Sequence, residues 1–214
     1  MHMNISRFFS RTLLALTLSS TAVLAWSAPA PAGSATSSSA KPTAAPQQNG
    51  DYGFTLEGVD GKVSDQDFKG KYILLSFGYT SCPDICPTTL YEIDQTLRQL
   101  EHPEKLQAVF VSVDPTIDTP ERVAQYAHGF NKNIVGLTAD YDTLKKLIRR
   151  YGASFGYRFG NDEVVPPNLP SSHSVYHSTL IYLLSPKREI IDAFDYQAGH
   201  EELTKDINKI LSDS

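Results

Sequence analysis

Tyr72-Ile73-Leu74-Leu75-Ser76-Phe77 runs through six positions with a single small polar residue. A strand with one face in water alternates polar and apolar side chains. An unbroken apolar run suits a strand covered on both faces, as in a parallel sheet between helices. The residues downstream keep that rhythm. Leu90, Ile93, Leu97 and Leu100 recur at helical spacing and stop before Pro103. Leu106 to Val113 is a second buried strand. Thr119 is placed to cap, and Pro120 to open, a helix whose inner face is Val123, Tyr126, Ala127 and Phe130. Ile134 to Leu137 reads as a short strand, and Leu144, Leu147, Ile148 and Tyr151 mark the next helix. Val175 to Leu184 and Ile190 to Phe194 read as a hairpin around Ser185 to Glu189, before a last helix carrying Leu203, Ile207, Ile210 and Leu211.

This succession predicts an α/β fold, a single thioredoxin-like domain whose sheet ends in an antiparallel pair. The pattern occupies residues 50–214, long enough for a real core. What precedes it is different in kind. No acidic residue occurs before Asp51; Arg7 and Arg11 are followed by an uncharged stretch, Thr12 to Ala40, whose first half is rich in Leu, Ala and Val. Residues 1–25 therefore read as a secretory signal peptide with Ala25 at the cleavage point, or as an uncleaved membrane anchor. The first cysteine is Cys82, so a lipid-modified cysteine near the leader is excluded. Residues 26–49, rich in Ala, Pro, Ser and Thr, form a linker without large apolar residues from Ser27 onward, and a flexible coil of this length spans roughly 25–30 Å.

A net charge of −5 argues against a phosphate-binding surface, so nucleic acid is not expected as a partner. No glycine-rich phosphate loop is present either. The chemistry gathers at Gly78-Tyr79-Thr80-Ser81-Cys82-Pro83-Asp84-Ile85-Cys86-Pro87-Thr88, in the loop that leaves the first buried strand, where open α/β sheets place their sites. Pro87 is expected at the first helical position, with Cys86 at the N-cap, where backbone N–H groups and the helix dipole favour thiolate over thiol. Two thiolates on such a turn can converge on one soft metal ion. A structural disulfide would close a loop so short that it stabilises by only about 2 kcal/mol. A redox dithiol is a stronger rival, although thioredoxin-type oxidoreductases use Cys-x-x-Cys and this chain has three residues between.

Those enzymes also place a proline at the start of the strand facing the thiols. Here the region reads Ser172-His173-Ser174-Val175-Tyr176-His177-Ser178-Thr179. His177 falls in an otherwise buried strand, where a neutral imidazole either bonds internally or binds metal. His173 lies about 13 Å away in an extended chain, too far to share the ion without a bend. His102, His128 and His200 are expected at helix ends or surfaces in solvated or capping roles. Two sulfurs and one imidazole suit Cu(I), which is content with three ligands, whereas zinc would take a fourth.

Cys82-Pro83-Asp84-Ile85-Cys86-Pro87, Val111-Ser112-Val113-Asp114-Pro115 with Asp118-Thr119, and His177-Ser178 with Tyr182-Leu183 together resemble the Sco/SenC copper-delivery proteins, over about residues 50–212. The resemblance implies one copper ion per chain, held by Cys82, Cys86 and His177, with Cys82 and Cys86 also able to cycle through a disulfide. It implies delivery of copper to the dinuclear copper site of cytochrome c oxidase subunit II, and an upstream copper donor. The alternative is a thiol–disulfide reductase that keeps the oxidase's copper-ligand cysteines reduced. Asp84 and Asp114 stand beside the motifs, and two readings are open for each: a carboxylate that orients a ligand or docks a partner, or a solvated loop carboxylate with no role. With the leader, the expected location is the bacterial periplasm, either soluble or anchored to the inner membrane. Two positions depart from the family pattern. Tyr176 stands where many relatives have Asp, and the turn Ser185-Pro186-Lys187-Arg188-Glu189 lacks the usual glycine.

Overall fold

The computed structural model describes residues 52–213; the expected leader and linker lie outside them. No helix among the described residues is long and apolar enough to cross a membrane. The chain opens with a small antiparallel hairpin, β1 (Thr55–Gly58) and β2 (Gly61–Ser64), followed by a 3-10 turn at Asp65–Phe68. Then come β3 (Tyr72–Gly78), α1 (Ile85–Gln99), β4 (Leu106–Ser112), α2 (Pro120–Phe130), β5 (Ile134–Leu137) and α3 (Tyr141–Arg150). The second half adds β6 (Phe155–Phe159), β7 (Asp162–Val164), β8 (Ser174–His177), β9 (Ile181–Leu184), β10 (Ile190–Phe194) and α4 (Gly199–Ser212).

The main sheet has the order β10-β9-β3-β4-β5, with β3, β4 and β5 parallel and β9 and β10 antiparallel, the expected thioredoxin-like arrangement. The unbroken apolar run is explained by two cores. Ile73, Leu75 and Phe77 point into one, with Leu144, Leu147 and Ile148 of α3 and with Leu56 of β1. Leu74 points into the other, with Leu90 and Ile93 of α1, Val123 of α2, and Leu203 and Ile207 of α4.

The stretch Val175 to Leu184 is not one strand. Its first part, β8, pairs with β6 in a separate sheet of order β7-β6-β8, and only β9 joins the main sheet beside β3. The break is made by Ser178, whose N–H donates to the Ser154 carbonyl and whose hydroxyl accepts the Ser154 N–H.

The turn without glycine, between β9 and β10, has its own solution. Arg188 adopts φ 64°, the left-handed region that glycine would normally occupy. Its side chain is buried and paired with Asp65, Nε to Oδ2 at 3.0 Å. The guanidinium also donates to the carbonyls of Lys71, Ser185, Pro186, Asp65 and Phe68. Arg188 thus ties the hairpin turn to the segment that leads into β3.

Candidate metal centre

Cys82 and Cys86 stand at the carboxyl end of β3, on the loop into α1. The helix starts earlier than the sequence suggests. Its N-cap is Asp84, whose carbonyl accepts from the N–H of Thr88, so Cys86 lies inside the first turn and Pro87 is its third residue. Proline is tolerated there because the first N–H groups of a helix have no acceptor within it. Both cysteines are free. The N–H of Cys86 donates to Cys82 Sγ at 3.4 Å.

Gly78 is required where β3 ends. A β-carbon at this position would lie 2.6 Å from the Phe110 ring and 2.9 Å from Cys86 Sγ. Gly78→Ala is expected to lower stability by about 1–3 kcal/mol, because ring and sulfur must both retreat from a packed site. Urea unfolding measures this, and an unchanged midpoint would contradict it.

The loop is held from the side by Asp118, a residue the sequence reading used only as part of a motif. This buried carboxylate accepts from Thr80 N–H at 2.8 Å, from the Thr80 hydroxyl at 2.5 Å and from the Ser112 hydroxyl at 2.6 Å. Arg122 pairs with Asp118 at 3.3 Å and donates to the hydroxyls of Thr80 and Ser81. Only the motif spacing, an acidic residue just before the capping Thr119, hinted at this clamp.

His177 arrives from the small sheet. Its Nδ1 lies 2.8 Å from the Ser178 carbonyl. A carbonyl only accepts, so Nδ1 carries the proton and the Nε2 lone pair is left facing Cys86 Sγ at 3.5 Å. One ligand atom from each of Cys82, Cys86 and His177 lies within 4.8 Å of the other two, and no other such cluster occurs among the described residues.

The two thiols are not equivalent. Burial alone would raise Cys82, but hydrogen bonds from the N–H groups of Asp84, Cys86 and Ile85, and from the Cys86 thiol, outweigh it and bring Cys82 below the ordinary thiol value. Burial, reinforced by the hydrogen bond to Cys82, pushes Cys86 well up, against the opposing Tyr79 N–H. Cys82 is therefore the more readily ionised of the two thiols, and a soft cation held by both would displace their protons. Burial also lowers His177, with the Ser178 carbonyl acting the other way, which keeps the imidazole neutral and ready to ligate.

The remaining expected residues fall around this cluster. Asp84 is exposed at the rim, and its side chain makes no cap bond. Asp114 is buried and accepts from the hydroxyls of Tyr157 and Thr116, so it braces the loop after β4. His173 is occupied elsewhere, with Nδ1 2.8 Å from the Pro170 carbonyl and its ring against Tyr157. Tyr176 lies on the opposite face of β8 from His177, over Gly156 and under Arg158, so the imidazole is oriented by Ser178 rather than by residue 176. His102 sits at the surface beside Glu104. His200, expected to be solvated or capping, instead pairs with Glu92 at 2.7 Å and is partly buried, linking α4 to α1.

Comparison with known proteins follows the same lines. The SCO1/SenC family profile matches residues 42–212. The mitochondrial protein SCO2 of Saccharomyces cerevisiae is 34% identical over 161 residues, covering 72% of this chain and 52% of that protein. The mitochondrial SCO2 homolog of Bos taurus is 33% identical over 163 residues, covering 74% of this chain and 59% of its own length. This chain thus spans little more than half of these curated relatives. Among solved structures, copper-bound ScoI of Bradyrhizobium japonicum matches with TM-score 0.62 and 33% identity, covering 73% of this chain and 96% of that one. Copper-bound ScoI of Arabidopsis thaliana matches with TM-score 0.66 and 28% identity, covering 76% and 98%. The expected bacterial periplasmic location is overturned here, because the curated relatives from yeast and cattle are mitochondrial proteins. With the family profile matching four-fifths of the sequence, and the thiol pair and imidazole meeting in one place, the chain belongs to the SCO1/SenC family.

Proposed function

We propose that Cys82, Cys86 and His177 hold one copper ion and that the protein is a metallochaperone, passing the ion to the dinuclear copper site of cytochrome c oxidase subunit II. The observation that carries this reading is the convergence of two sulfurs and one imidazole nitrogen within 4.8 Å. Three donors of this softness match Cu(I), while zinc would take a fourth ligand. The site is built for retention with one accessible side: Cys86 is buried, and Cys82 is only partly covered. Asp84, exposed beside Cys82, is available to contact a partner, and an upstream copper donor would use the same rim.

A second reading has its own support. A partly exposed Cys82 thiol held below its ordinary value, with a buried Cys86 pushed upward beneath it, is the asymmetry of an attacking and a resolving thiol. On that reading the protein reduces the oxidase's copper-ligand cysteines.

The two readings part at His177, because a dithiol reductase has no need of an imidazole there. His177→Ala, introduced in place of the parent gene, is expected to abolish oxidase assembly in copper-poor medium while leaving the Cys82–Cys86 couple reducible. Added copper should restore part of the activity, and a small-molecule thiol should not. His173→Ala, already engaged with Pro170, should behave as the parent. Normal oxidase from His177→Ala at low copper, with failure of Cys82→Ser, would establish the reductase instead.

A further inference from the structure

The fold does not support the three proposed ligands equally. Cys86 is buried in the first turn of α1 beside Gly78, and His177 is held by the Ser178 carbonyl. Cys82 lies in a stretch, residues 79–84, that belongs to no helix or strand. Its N–H donates to the Tyr79 carbonyl at 3.2 Å, within the same loop. The two residues before it are held from outside the loop. Asp118 accepts both the N–H and the hydroxyl of Thr80, across 38 positions of sequence. Arg122, paired with Asp118, donates to the Thr80 hydroxyl at 2.7 Å and to the Ser81 hydroxyl at 3.2 Å. The Asp118 side chain is 1% exposed, whereas Arg122 is half exposed. A carboxylate so placed is costly to bury, and a neutral side chain could meet hydroxyl donors at lower cost. What the charge adds is short, strong hydrogen bonds that fix position.

We infer that Asp118 is a positioning residue for the copper site: through Thr80, and with Arg122 over Ser81, it sets where the Cys82 sulfur stands relative to Cys86 and His177. The inference rests on the copper reading above. Asp118 directly precedes Thr119, the N-cap of α2, so a helix that carries no ligand braces the accessible side of the site. An ion is held tightly when its donors are already in place, because binding then need not order them. Without the brace, the Cys82 end of the loop would have to be ordered by the ion itself.

Asp118→Asn keeps the shape and an acceptor for the Thr80 N–H but loses the charge. Thr80→Val keeps the shape and the N–H but loses the hydroxyl. Arg188→Gly is the control for stability, since its lost bonds run to Asp65 and to carbonyls away from this loop. The full chains, reduced, are titrated with Cu(I) against bathocuproine disulfonate, below the unfolding temperature of each. Asp118→Asn should bind about 10–100-fold more weakly than the parent, the range for groups that orient a ligand. Thr80→Val should bind about tenfold more weakly, the scale of one hydrogen bond to a charged group. Arg188→Gly should match the parent despite its lower stability. In the Cu(II)-loaded forms the thiolate-to-copper absorption should move in both loop variants and stay in place in Arg188→Gly. Parent affinity, or an unmoved band, in either loop variant would overturn the role of Asp118. A matching loss of affinity in Arg188→Gly would overturn it too, by tying affinity to stability alone. A parent that holds no copper would overturn the copper reading and this inference with it.

Discussion

Cys86→Ala protein is expected to emerge from gel filtration almost free of copper, where the parent carries roughly one ion per chain. Removing a group that merely orients a ligand weakens metal binding about 10–100-fold, and removing a donor atom should exceed that range. The change is well suited to isolating the sulfur. Cys86 is buried beside Gly78 and the Phe110 ring, and alanine keeps the helix start intact, so the fold should lose only about 1 kcal/mol. Cys82→Ala should lose the metal as well, with a still smaller effect on stability, because that side chain is only partly covered. Copper analysis beside a urea unfolding curve separates the two effects. Full copper retention in the double variant would show that the sulfurs are not the donors.

Arg188→Ala is expected to be the most damaging single change to the fold, at about 3–5 kcal/mol, because it strands the buried Asp65 carboxylate without its cation. Five backbone carbonyls lose a donor at the same time. In a chain of this length such a loss lowers the unfolding temperature by roughly 6–20 °C. Alanine also inherits the left-handed φ of 64° and its steric penalty. Arg188→Gly sheds that penalty while losing the same contacts, so it should be about 1 kcal/mol less harmful than Arg188→Ala. Thermal unfolding of both variants checks the order, and a glycine variant as stable as the parent would mean that the contacts of Arg188 contribute no more than the about 1 kcal/mol of strain that glycine relieves.

The parts of this protein that were legible in its sequence are those where one physical rule dominates. The unbroken apolar run at Tyr72–Phe77 could serve only a doubly covered strand, and β3 is central in the sheet. The helices announced themselves by spacing, and Thr119 caps α2 as its position suggests. His177 stood out because the stretch Val175–Leu184 reads as a buried strand facing the thiol loop, and although β8 itself is only partly buried, the imidazole does meet the cysteines. What escaped was set by contacts distant in the chain. The split of Val175–Leu184 depends on Ser154, and nothing local marks it. The short strands β1, β2, β6 and β7 are too brief and too mixed in polarity to show a period. Asp118 looks like any acidic residue before a helix until the fold places Thr80, Ser112 and Arg122 around it. The departure at Arg188 was visible as a missing glycine, but its partner Asp65 lies 123 residues away.

That the histidine comes from the small sheet and the cysteines from the loop and first helical turn after β3 has a topological consequence. An ion bound by Cys82 and Cys86 alone would close a trivial ring in the chain. Adding His177, 91 residues from Cys86, turns the same ion into a cross-link around much of the domain. In the chain-entropy picture a permanent link of that span removes about 4–5 kcal/mol of freedom from the unfolded polypeptide. The imidazole, rather than the thiol pair, is therefore what would make bound metal a staple of the fold. Each delivery of cargo would then also be an unfastening, leaving a looser ring that the next ion must draw closed.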